Sequence, residues 1–271
     1  EGLSAPAPAK SGLAAPAWPK DVLTSNPKFV VVTEGLQDVA ARRFHYTVGS
    51  FEFVSTAPLA NTVLAEVASD FLITEQFFKV QCWDWSPRPR ERERFLIYLA
   101  ETAEDYIALG GGDRSASTIV DGGACLIGFQ PLGLKQVGQR YQYDARSKDE
   151  GRVTSILAYS MLWDSVGGWL EHWPLQGMAH FLRDVAYQND GSVRCQNLLP
   201  AFRRALPDVL KDYDTTPNLE RMLKYMRTPR SELRSDVLRI RQDMQVDSLM
   251  LVFYFGFLDG DGSGRRLHEF Y

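Results

Sequence analysis

The sequence is poor in the residues that most often announce a chemistry. Among 271 residues there are four histidines, at 45, 172, 180 and 268, and three cysteines, at 82, 125 and 195. No C-x-x-C pair occurs, and an odd cysteine count excludes a full disulfide framework. One bridge, or three plain buried thiols, is compatible with the count. There is no Gly-Lys dipeptide, hence no P-loop, and neither G-x-S-x-G nor G-x-G-x-x-G is present. The longest apolar stretch, Leu249–Leu258, falls far short of the ~18 residues that a membrane span requires. Nor is there a basic surplus. The net charge is -4, so no global attraction to nucleic acid or to an anionic membrane is implied.

What is present is an ordinary globular composition, 45% hydrophobic and 24% charged, on a chain long enough to bury a sizeable core. The first residues, "EGLSAPAPAKSGLAAPAWP", form the exception. Ala, Pro and Ser cannot build a core, so residues 1–27 read as an extended arm, and residues 28–271 as a single domain. The arm resembles the mature end left by signal-peptide removal, which leads to the expectation of a periplasmic or secreted protein.

The pattern along the chain changes once. "KFVVVTEG", 28–35, predicts a strand, and 42–56 predicts a hairpin around Gly49-Ser50. From Pro58, apolar residues recur every three to four positions through Phe78 and predict a helix. A Pro-broken loop, 82–94, leads to a strand at "FLIYLA". A short helix, 101–109, ends at Gly110-Gly111-Gly112, and 117–131 carries one or two strands. After Glu150 every segment reads as helical. A bend or split is expected at Pro200, and Thr216 is expected to cap a helix that starts at Pro217. Strands first and helices after define an α+β fold.

Two adjacent helical segments carry a resemblance. "WPLQGMAHF", 173–181, follows the shape W-x-x-E-G-x-A-x-[YF], with Trp173, Gly177, Ala179 and Phe181 in place. A helix at 153–166 precedes it at the expected distance. This order resembles the gluzincin-type zinc metallopeptidases, specifically the peptidase MA-like family. The resemblance implies a gluzincin-like α+β fold. It also implies that the first helix should supply H-E-x-x-H and the second a glutamate ligand.

The chemistry departs from that pattern. Ala158, Tyr159 and Leu162 stand where H-E-x-x-H would, and Gln176 stands for the glutamate. Zinc hydrolysis needs two imidazoles on one helix face and a carboxylate beside the bound water. All of these are missing, so a pseudoenzyme is expected: no catalytic residues, no metal, no cofactor. It would serve as a protein-binding or structural subunit in a stable complex. An alternative is a hydrolase in which Tyr159, Asp164, Gln176 and His180 converge.

Interaction candidates are Trp18 in the arm, and Trp83, Trp85, Arg88 and Arg90 in or beside "RPRERER". That run could stack and bind nucleic acid, but a solvated, salt-bridged loop explains it better, and nucleic acid is not the expected partner. "DGDGSGRRLHEF" resembles a calcium loop at Asp259, Asp261, Ser263 and Gly264, yet lacks the acid at position 12. A Gly/Asp turn accounts for it better.

Overall fold

In the computed structural model, Gly49, at φ +54°, turns the chain between β2 (Arg43–Val48) and β3 (Phe51–Ser55). Residues 18–19, 22–112, 117–166, 172–188, 191–228, 242–259 and 264–268 are described. β1 (Thr33–Asp38) pairs with β2 across a bulge between Glu34 and Gln37. The first strand thus begins later than the sequence predicts. Pro27–Phe29 instead form a 3-10 turn, because Asn26 accepts a hydrogen bond from the Lys28 amide and fixes the local geometry.

β4 (Phe95–Ala100) and β6 (Ala124–Gly128) extend the sheet in parallel, and β5 (Ser117–Val120) closes it antiparallel to β6. The strand order is β1-β2-β3-β4-β6-β5, so β5 forms one edge. A separate hairpin, β7 (Leu134–Val137) with β8 (Arg140–Tyr143), has no counterpart in the sequence reading.

Helix α1 (Asn61–Val80) begins three residues after Pro58 and lies on one face of the sheet. Phe71 meets Phe51 and Phe53 edge-on, with ring centroids 5.7 and 5.3 Å apart. α2 (Ala103–Ala108) sits on the other face, where Tyr106 packs with Ala100 and Leu126. Its capping box pairs Thr102 with Asp105.

The helical half packs on the α1 side. α3 (Glu150–Val166) runs antiparallel to α4 (His172–Phe181): Gly151 abuts Arg183, while Tyr159 meets His172. Every residue of α4 is buried, as expected of a helix enclosed on all sides. α5 (Leu198–Asp212), α6 (Leu219–Arg227), α7 (Gln242–Phe253) and the short α8 (Arg265–His268) follow among the described residues. α4 and α7 each end in one π-type turn, closed by Tyr187 N–H to Leu182 C=O and Asp259 N–H to Tyr254 C=O.

The expected α+β class holds, with a strand-rich half before a helical one. Two local expectations do not. Pro200 falls in the first turn of α5, where a missing N–H costs nothing, so the helix is not split there. The cap of α6 is Asn218, not Thr216; its side chain accepts from the Arg221 amide at 2.9 Å. Of the helix expected over 231–244, residues 231–241 lie outside the described residues, as do residues 167–171, and 242–244 belong to α7. Of the four calcium-like positions, Asp259 and Gly264 are described, and Asp259 pairs with Arg266 at 3.2 Å. All three cysteines are free; burial raises the thiols of Cys82 and Cys195 to about 11 and that of Cys125 further.

Candidate binding cleft

α3 presents Arg152, Ile156, Tyr159 and Trp163 at successive turns of one face. These side chains form the floor of a cleft of about 780 Å³. Edge strand β5 supplies one wall through Ser117, Thr118 and Ile119, and α4 contributes His172 and Gln176. Turn residue Gly123, just beyond β5, holds the strand against α3. Its carbonyl accepts from Ser160 Oγ at 2.5 Å, and a Cβ there would lie 2.8 Å from Asp164.

Four positions were expected to mark a former metal site, and the structure divides them. Ala158 and Leu162 are fully buried hydrocarbon in the main core. Tyr159 and Gln176 line the cleft together. Tyr159 Oη lies 2.8 Å from His172 Nδ1, and Gln176 Nε2 lies 2.8 Å from His180 Nε2. With Gln176 donating, His180 accepts at Nε2 and donates from Nδ1 towards Asp184 at 3.4 Å. Arg183 holds Asp184 from the other side with two hydrogen bonds, 2.6 and 2.9 Å, and also donates to the Tyr213 hydroxyl.

This donor set does not fit a zinc ion. Of the three ligand positions that the resemblance implies, two carry no donor atom, and the third is an amide already engaged with His180. Among the described residues, no group of three or more His, Cys, Asp or Glu side chains could hold a metal. The four residues of the alternative hydrolase do not converge either. Asp164 is buried beside Gly123 at the β5–β6 turn, where burial raises its carboxyl and Arg92 and Arg90 partly offset this. It does not line the cleft.

Burial also lowers the His180 imidazole, more than its hydrogen bond to Asp184 raises it. The folded protein therefore binds a proton there less readily than the unfolded chain, whose histidine titrates near 6.5. The resulting stability is complete above that value and is lost as pH falls through the folded-state value. Urea midpoints measured from pH 7.5 to 5 are expected to fall below about pH 6.5, and His180→Gln is expected to flatten that slope. An unchanged slope in the variant would assign the decline to other groups.

The interaction candidates separate as well. Trp83 and Trp85 are 1% and 0% exposed, so neither offers a stacking surface to a partner. The reason lies in the loop between α1 and β4. Gln81 accepts from the Trp83 amide at 2.7 Å and donates to the Trp85 carbonyl at 2.8 Å, folding both indoles inward. Trp18 is held by the protein's own rings: it meets Trp83 edge-on at 5.1 Å and lies 5.8 Å from Phe77. Order at that point of the arm needs no partner. Arg88 and Arg90 are exposed, and Arg90 pairs with Glu91 at 2.9 Å, the salt-bridged loop that the sequence favoured.

Sequence reasoning did not single out Trp163, Arg183, Asp184, Asp212 or Tyr213. The repeat of Arg152, Ile156, Tyr159 and Trp163 along α3 was a usable signal; the approach of α5 to the end of α4 was not. No protein-family model matches the chain, and no curated protein and no solved structure matches it.

Proposed function

We propose that the chain is a catalytically inactive, peptidase-like domain that acts as a protein-binding or structural subunit, receiving an extended segment of a partner chain along β5. The supporting observation is the pairing of a sheet edge with a cleft. An edge strand can accept backbone hydrogen bonds from an added strand, and the cleft beside it can take alternate side chains. The positions where the resemblance implies catalytic ligands hold hydrocarbon, a phenol and an amide, which support packing and recognition rather than hydrolysis. Export of the chain belongs to the same proposal.

The test has two readouts. Protein purified without chelator from zinc-supplemented medium is expected to carry far less than one zinc per chain by elemental analysis. Incubation with a mixture of unstructured peptides is expected to leave them uncleaved by mass spectrometry. One zinc per chain, together with cleavage that is lost on Tyr159→Phe or Gln176→Ala, would refute the proposal.

A further inference from the structure

The cleft is polarised along α3. Its charged end is set where Gly151 meets Arg183, and it gathers Asp149, Arg152, Arg183, Asp184 and Asp212. Its other end is aromatic, with the Tyr159 and Trp163 rings 5.9 Å apart. Asp149 pairs with Arg152 at 3.0 Å and Asp184 with Arg183 at 2.6 Å. Asp212 is exposed and has no ion pair among the described residues. Among the described residues, three carboxylates against two guanidinium groups leave this end with one negative charge to be matched by an occupant. Arg152 and Trp163 are about 16 Å apart at 1.5 Å per helical residue. An extended chain covers that distance in about five residues.

We infer that the cleft selects an extended polypeptide segment of about five residues. It takes a large apolar or aromatic side chain at the Tyr159/Trp163 end and a lysine or arginine at the Asp212 end. This rests on the reading of the cleft as a polypeptide groove. The aromatic pair supplies wide, rigid contact area at the end away from these carboxylates. The uncompensated carboxylate favours a cation and disfavours an acid, so its contribution is mainly to specificity.

A library of random heptapeptides displayed on phage, panned on the full chain, tests this. Parallel panning uses Asp212→Lys, Trp163→Ala and Ser155→Tyr; the last places a ring in the cleft from a partly exposed position. Selected sequences are expected to favour a basic over an acidic residue about fivefold, roughly four positions from an aromatic residue or leucine. Asp212→Lys is expected to invert that charge preference. Because Asp212 is exposed, this variant keeps its fold. Selection without a charge preference that is nevertheless lost on Trp163→Ala or Ser155→Tyr overturns the inference and leaves the groove standing. No selection, or selection that both cleft-blocking variants retain, removes the groove itself.

Discussion

Trp83→Ala is expected to destabilise the protein by about 3–5 kcal/mol, the range for deleting a fully buried large aromatic side chain. The indole is enclosed on several sides. Phe181 lies 5.2 Å away and Phe257 5.2 Å, both ring to ring. Its Nε1 donates to the Gly256 carbonyl at 3.3 Å. Gly256 and Gly264 are glycines for its sake: a Cβ at either would stand 2.5 or 1.8 Å from an indole carbon. Gly264 also holds φ +71°, which L side chains rarely adopt. Removing the ring leaves a cavity bordered by Trp18, α4 and the π turn after α7, and these cannot all close on it. Thermal unfolding should drop by on the order of 10 °C. Trp83→Phe should recover part of that. Arg88→Glu and Arg90→Glu, a few residues away but exposed, should stay within about 0.5 kcal/mol of the parent. A melt of Trp83→Ala within 2 °C of the parent, by contrast, would mean that the indole is not enclosed as described.

Gly177→Val is expected to cost about 3 kcal/mol, at the upper end of the overpacking range. Here α4 crosses α7 at backbone contact. A Cβ on residue 177 would lie 2.2 Å from the Ser248 carbonyl oxygen and 2.6 Å from Val252 Cγ2. The first obstacle is main chain, which no rotamer change can clear, so the helices must separate. Separation matters beyond stability, because α4 carries His172 and Gln176 into the cleft. Urea unfolding should show a lower midpoint with the same slope. Gly177→Ala should show a smaller loss of the same sign. A Gly177→Val protein as stable as the parent would disprove the close crossing.

Gly177 also shows what a motif can and cannot say. The letters of "WPLQGMAHF" locate a helix with a small residue at a fixed place, and the structure gives that residue a reason in the α4–α7 crossing. Nothing in those letters states that the partner is Ser248, some seventy residues later. Trp83 is the converse case. Beside "RPRERER" it reads as a surface aromatic, because its neighbours in sequence are charged. Its neighbours in space are Trp18, Phe181 and Phe257. The side chain that turns it inward, Gln81, is polar and gave no periodic signal.

The sequence by itself determined the α+β class, a strand-rich half before a helical one, and that positions 158, 162 and 176 carry no histidine or carboxylate. These depend on local periodicity, on turn residues, and on which donor atoms exist at all. Only the tertiary structure decided that β5 forms an edge, that α3 and α4 bring Tyr159 to His172 and Gln176 to His180, and that Asp212 joins them from α5. Those are contacts between faces of elements far apart in the chain. They are fixed by how apolar surfaces close over one another, and that closure leaves no repeat in the sequence from which to read it.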